Sequence, residues 1–283
     1  MAGVAIVTDS TAYLSADDVA ALGVAVVPLQ VVVDGSTYVE GDPALPSLVA
    51  SAVRAGLTVT TSRPAPPVFL SAYAAAAAAG ASAVVSVHVS GQLSGTRDAA
   101  RLAALESPVP VTVVDSGQVG MGLGFAVLAA ARLAAGGASS EEVAAVARSR
   151  SASAATLFYV DSLDSLRRGG RIGSAQALVG SALAVKPLLH VVDGRVAMLA
   201  KVRTSGRALA ELEQRAVDLA GLREVELAIH HLESPDRAAA LATNLRARVP
   251  MIARLIVTEI GGVIGAHAGP GLLGIVVAPT GVS

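Results

Sequence analysis

The stretch Ala83-Val84-Val85-Ser86-Val87-His88-Val89-Ser90-Gly91-Gln92-Leu93-Ser94-Gly95-Thr96 passes from a β-rich apolar run into a loop of hydroxyls and glycines, and Thr96–Leu105 beyond it reads as a helix. An apolar run without polar alternation fits a strand buried on both faces. The same order occurs upstream. Val4–Thr8 reads as a buried strand, followed by a helix at Ala16–Leu22 that Ser15 opens and Gly23 stops. Val24–Val33 and Val111–Val114 are further strand candidates, with helices at Val68–Ala79 and Val119–Ala135. Strands alternating with helices predict an α/β lobe, a parallel sheet with helices on both faces. Ser139-Ser140-Glu141-Glu142 is a capping box for one more helix, ending near Arg150.

Past Ser151 the pattern changes. Val185–Val192 and Arg195–Val202 flank Asp193-Gly194, a two-residue hairpin signal that makes those strands antiparallel. A helix at Ser205–Ala220, a strand at Val225–Ile229, a helix at Pro235–Arg248 and strands at Ile252–Glu259 and Leu272–Ala278 complete a mixed α+β lobe. The expected division is therefore an N-terminal domain over 1–153 and a C-terminal domain over 154–283. The alanine run Ala74–Ala79 reads as helix, and no internal repeat is visible.

With 283 residues, 53% of them hydrophobic and 15% charged, the chain can bury a large core, which excludes disorder. A formal net charge of -1 gives no field to draw in nucleic acid. The absence of cysteine removes disulfides, thiolate catalysis and thiolate metal sites. Met1–Val7 has no basic residue before its apolar run, so no signal peptide is expected, and the apolar stretches 119–131 and 177–185 fall short of the ~20 residues of a membrane span. A cytoplasmic protein is the expectation.

In a parallel sheet the loops after the strands share one edge. Here they carry Asp9-Ser10-Thr11, Thr60-Thr61-Ser62-Arg63-Pro64, Ser90–Thr96 and Asp115-Ser116-Gly117. Taken singly, each hydroxyl reads as the cap of its own helix; four loops converging read as a site for an anionic head group. Both readings stand at this point. The second lobe supplies cations, in Leu166-Arg167-Arg168-Gly169-Gly170-Arg171 and Lys201-Val202-Arg203-Thr204, and contains both lysines of the chain, Lys186 and Lys201. His267 lies in Gly265-Ala266-His267-Ala268-Gly269-Pro270-Gly271, read as a flexible loop, which favours a ligand role; His88, His230 and His231 read as structural.

Enzyme signatures are sparse. Neither lysine follows glycine, so there is no P-loop, and neither Gly-x-Ser-x-Gly nor His-Glu-x-x-His occurs. Gly120-Met121-Gly122-Leu123-Gly124 lacks the spacing of a dinucleotide fingerprint and reads as close helix packing. A metal-dependent phosphotransferase or hydrolase using Asp9 and Asp115 with magnesium is the catalytic alternative, although no second carboxylate adjoins Asp9.

The ordered set Ile6-Val7-Thr8-Asp9-Ser10-Thr11-Ala12, Val27-Pro28-Leu29, Thr61-Ser62-Arg63-Pro64, Leu93-Ser94-Gly95-Thr96, Val114-Asp115-Ser116, Leu166–Ile172, Lys186-Pro187, Lys201–Thr204 and Gly269-Pro270-Gly271 resembles the DegV family nearly end to end. The resemblance implies a fatty-acid-binding protein with its ligand between the two lobes, serving as the non-catalytic acyl-carrying subunit of a fatty acid kinase that supplies phospholipid metabolism. It implies no cofactor beyond the bound fatty acid, and no resident metal. By the same resemblance Thr61, Ser62 and Ser94 hold the carboxylate with His267 contributing, while Arg171 and Arg203 serve phosphoryl transfer. The implied partners are a long-chain fatty acid and the kinase's catalytic subunit, with a transient membrane-surface contact compatible with that role; a lipid-sensing regulator would share the site. The chain departs from the family pattern at Arg63, where Gln is usual, at Ala65 and Gly91, where Ser is usual, and at Arg97, where an aromatic is usual.

Overall fold

The computed structural model describes residues 3–178 and 186–281. The chain divides into two compact units, one made of the residues up to Gln30 with Ser62–Ser153, the other of Val31–Thr61 with Ala154 onward. This differs from an unbroken first domain over 1–153, because residues 31–61 pack with the second unit. The cause is visible at Pro28. The strand expected over Val24–Val33 is two strands, Ala25–Val27 and Gln30–Val33, in different sheets. Pro28 has no N–H for a ladder and interrupts the pairing where the chain changes sheet.

The first unit is the α/β lobe. Its sheet runs, in order, Ala25–Val27, Val4–Asp9, Ala83–His88 and Val111–Asp115, all parallel. Ile6, Val85, Val87 and Val114 pack with Leu123, Val127, Val143 and Ala147 from the helices Met121–Ala135 and Ser140–Ser153. The alternate residues Val7 and Val84 pack with Phe69, Tyr73, Ala99 and Ala103 from Pro66–Ala78 and Thr96–Ala104. Period-two alternation with apolar residues on both sides is what buries both faces. The capping box forms: Ser139 N and Oγ both donate to Glu142 Oε2 at 2.8 Å. Gly124 lets its helix close on the 3-10 turn Ser10–Ala12, since a Cβ there would stand 2.5 Å from the Ala12 carbonyl oxygen. Three of the four hydroxyl loops follow strands of this sheet. The fourth does not, because Thr60–Ser62 lie within the strand Val59–Ser62 of a separate three-stranded sheet.

The second unit is built on a six-stranded mixed sheet in the order Arg195–Val202, Lys186–Val192, Ala155–Tyr159, Leu273–Pro279, Val225–His231, Ile252–Glu259. Only its last pair is parallel. Asp193 and Gly194 turn its hairpin with φ of 50° and 74°, as a type I′ turn requires. The expected first residue of that hairpin strand, Val185, and residues 179–184 of the apolar stretch before it lie outside the described residues. Helices Ser205–Ala220 and Pro235–Arg248 cover one face through Leu212, Ala216, Leu241 and Leu245, packed on Leu188, Leu227, Ile229 and Ile275.

Residues 31–61 add the small sheet and the helix Leu45–Arg54, which packs on a helix at Gly262–Ala268. His267 thus sits in a helix rather than in the flexible loop expected from Gly265–Gly271. Its glycines serve close approach: a Cβ on Gly262 would lie 2.6 Å from Leu45 Cγ, and one on Gly261 would collide with Glu40. Glu40 Oε2 accepts from Val263 N at 3.1 Å, at the start of that helix.

Candidate functional site

In the second unit, Thr61 leaves the strand Val59–Ser62 with its hydroxyl facing a histidine rather than a helix end. Thr61 Oγ1 and His267 Nε2 are 2.9 Å apart. Burial pushes the His267 imidazole down to about 4, with the Arg171 charge acting in the same direction, so the ring is neutral at pH 7. A neutral imidazole carries one N–H. His267 Nδ1 is buried without a hydrogen-bond partner, and an orphaned buried donor costs more than an orphaned lone pair. The proton therefore belongs on Nε2, where Thr61 Oγ1 accepts it. Thr61 keeps its own O–H, which meets no acceptor among the described residues. A hydroxyl fixed as acceptor on one side and left free to donate on the other suits an incoming carboxylate.

Gly169 frames this pair. The ring's Nδ1 lies against it, and any Cβ at that position would collide with the imidazole. Arg171 Nη1 donates to the Gly169 carbonyl oxygen at 2.6 Å. Gly170 takes φ of 69° to turn the chain between them, the left-handed conformation that favours glycine. Arg171, Thr61 and His267 thus form one neighbourhood. Arg203 follows directly on the strand Arg195–Val202, exposed, just before the helix cap Thr204.

The other two expected head-group residues belong to the first unit. Ser94 Oγ accepts from Thr96 N at 3.3 Å and pairs with the buried Thr96 hydroxyl at 2.8 Å, next to the uncapped start of the helix Thr96–Ala104. Ser62 donates to Gln30 Oε1 at 3.2 Å, which leaves it lone pairs rather than a proton for a ligand. Two arginines press on this loop. Arg63 packs on Gly95, and Arg97 packs on Gly91, where a Cβ would stand 2.7 Å from the guanidinium.

Asp9 and Asp115 are occupied differently from what the catalytic alternative requires. Asp9 is fully buried; its Oδ1 accepts from Thr11 N and Thr11 Oγ1 (3.1 and 2.6 Å), and its Oδ2 from His88 Nδ1 and Val89 N (3.0 Å each). His88 continues through Ser86 at 2.6 Å to Tyr73 at 2.9 Å, whose phenol burial pushes up to about 12. This chain of Asp, His and Ser is sealed in the core and ties neighbouring strands together. Asp115 accepts from Gly91 N, Gly117 N and Arg97 Nη1. Among the described residues there is no group of three or more His, Cys, Asp or Glu that could hold a metal ion, and no helix long and apolar enough to cross a membrane.

Sequence reasoning missed Gly169 as the seat of the histidine ring, and the cluster in which Tyr159 OH meets Ser205 Oγ at 2.9 Å and Asp161, with Lys186 Nζ 3.3 Å from Asp161 Oδ1. The paired glycines were the available signal for the first; the second brings together residues up to 46 positions apart and left none.

Residues 3–280 match the family model described as "Uncharacterised protein, DegV family". The chain belongs to the DegV family. A DegV domain-containing protein of Streptomyces coelicolor is 54% identical over 275 residues, 97% of this chain and 98% of that one. One of Deinococcus radiodurans is 42% identical over 98% of each. Among solved structures, a DegV family protein from Thermus thermophilus described for its fatty acid binding is 36% identical, covers 98% of this chain and 99% of its own, and superposes with a TM-score of 0.92. DegV of Bacillus subtilis, described as a fatty acid binding protein, is 31% identical over 99% and 100% of the two chains, with a TM-score of 0.90. The α/β fold of this DegV chain, a parallel sheet plus a mixed sheet, is thus that of DegV structures.

Proposed function

We propose that this DegV chain is a fatty-acid carrier, non-catalytic in itself, that presents the carboxylate of a bound long-chain acid to a separate ATP-dependent kinase for acyl-phosphate formation. The observation that carries the reading is the 2.9 Å contact of Thr61 Oγ1 with His267 Nε2 beside an unpartnered Nδ1; with the ring proton assigned to Nε2, the Thr61 proton is free for an anion. The fatty acid binding described for the Thermus thermophilus and Bacillus subtilis proteins supports it. Thr61 with His267, and Ser94, are proposed as the head-group residues, with Ser62 joining them when its hydroxyl turns from Gln30 to the carboxylate. Arg171 and Arg203 are proposed to act in phosphoryl transfer, and a cytoplasmic setting follows from the same role. At ~0.8 kcal/mol per buried CH₂, a chain of about sixteen carbons gains roughly 11 kcal/mol gross before ordering costs, enough for tight binding without chemistry.

Denaturing extraction and mass spectrometry are expected to yield about one fatty acid per chain after incubation with a long-chain acid. Thr61→Val keeps the shape and removes the donated hydrogen bond to a charged group, so it should weaken binding by about 1.5–3 kcal/mol, with Thr61→Ser close to wild type. A chain that stays empty would overturn the carrier reading. Acyl phosphate should form only when a fatty acid kinase catalytic subunit, ATP and magnesium are added together; turnover of ATP by the chain alone would favour the Asp9 and Asp115 alternative.

A further inference from the structure

We infer that Arg63 is a further head-group residue, one that selects an ionised carboxylate over a neutral head group; the inference rests on the fatty-acid reading above. Arg63 follows Ser62 directly in the chain, and its guanidinium lies on Gly95, the residue after Ser94. It therefore packs on the loop that carries Ser94. A Cβ on Gly95 would collide with Nη1 and stand 3.1 Å from Cδ and 3.2 Å from Cζ, so this seat exists only because residue 95 is glycine.

The contrast with Arg97 supplies the chemistry. Both arginines press on the loop 90–96, each against one of its glycines. Arg97 is neutralised, with Nη1 donating to Asp115 Oδ2 at 2.8 Å and Nη2 to Asp98 Oδ1 at 2.7 Å. Arg63 is exposed and makes no hydrogen bond or ion pair among the described residues. The loop that carries Ser94 thus has one compensated and one uncompensated positive charge. Ser62 donates its proton to Gln30, so on this side the hydroxyls alone make a weak anion donor set. Neutral hydroxyls hydrogen-bond a carboxylate, an ester or an alcohol alike, whereas a guanidinium gains charge-assisted bonds only from the anion.

The test is a charge series at one position, Arg63→Lys, Arg63→Gln and Arg63→Glu, titrated with a long-chain fatty acid and with the fatty alcohol of the same length. Because Arg63 is exposed, its charge should act modestly and be screened by salt. Acid affinity is expected to fall about fivefold for Gln at low salt and about tenfold or more for Glu, with Lys between Gln and wild type. The gap between Gln and wild type should narrow as salt is raised. Alcohol affinity should stay constant through the series, which also shows that the loop remains folded. Unchanged acid affinity in all variants would overturn the inference, as would acid and alcohol weakening together, which would make Arg63 a packing residue on Gly95. Wild-type protein that binds neither ligand would remove the fatty-acid reading itself, a result distinct from either.

Discussion

Gly169 seats the imidazole of His267. The ring's Nδ1 lies where a side chain at residue 169 would start, so the position of the histidine, and with it the direction of the Thr61 hydroxyl, depends on a missing Cβ. The same glycine's carbonyl holds Arg171. One small residue thereby joins the hydroxyl proposed for the carboxylate to the guanidinium proposed for the phosphoryl group.

Gly169→Ala should therefore act on binding as well as on stability. Its Cβ forces the ring aside, an overpacking change that costs about 1–3 kcal/mol, and the displaced ring no longer fixes Thr61. Gly170→Ala is the control: residue 170 has φ of 69° but open space where a Cβ would go, so it bears only backbone strain of about 1 kcal/mol. The expectation is a lowered melting temperature for both and a clear loss of fatty acid affinity for Gly169→Ala alone. Equal affinities in the two variants would show that the seat of the ring has no bearing on the ligand.

What the sequence made legible was local. The hairpin at Asp193-Gly194, the capping box at Ser139–Glu142 and the helix Ala16–Leu22 each follow from neighbours a few residues apart, and each is present. The same two-residue signal at Asp34-Gly35, with φ of 46° and 82°, turns a second hairpin, between Gln30–Val33 and Ser36–Val39. The glycines around His267 looked like flexibility, because what they approach, Glu40 and Leu45, lies more than 200 residues earlier. Thr61 and His267 are 206 residues apart, so only the family resemblance placed them together.

Two buried histidines make the fold lose stability in acid. His230 and His267 are each lowered to about 4, chiefly by burial, against about 6.5 in an unfolded chain. Between those values the unfolded chain takes up protons that the folded chain refuses, so stability is full above about pH 6.5 and declines as pH falls toward 4. Each group's share of that loss is about 2 kcal/mol on going from pH 7.5 to pH 5. His267→Gln should remove one share, giving a shallower decline of denaturant midpoint over that range. If the variant loses as much stability as wild type between the two pH values, His267 does not titrate as its burial dictates.

The two arginines proposed for phosphoryl transfer should separate in behaviour, because the structure embeds them differently. Arg171 donates to the Gly169 carbonyl and adds to the depression of the His267 pKa, so removing it disturbs the neighbourhood that holds the Thr61 hydroxyl. Arg203 is exposed at the end of a strand and makes no hydrogen bond or ion pair among the described residues. An arginine that stabilises charge on a transferred phosphoryl group lowers the barrier of that step without contributing to affinity for an acyl chain. Arg203→Ala should accordingly keep the wild-type melting temperature and bind fatty acid with wild-type affinity, yet lose acyl-phosphate formation by tenfold or more when a fatty acid kinase catalytic subunit, ATP and magnesium are supplied. Arg171→Ala should show the same loss together with a lower melting temperature and weaker fatty acid binding. Arg203→Lys is the informative companion: if the planar fork matters the lysine restores little, and if charge alone draws the kinase to this surface it restores most of the rate. Wild-type acyl-phosphate formation by Arg203→Ala would remove that residue from the reaction and leave Arg171 as the one guanidinium to be tested there.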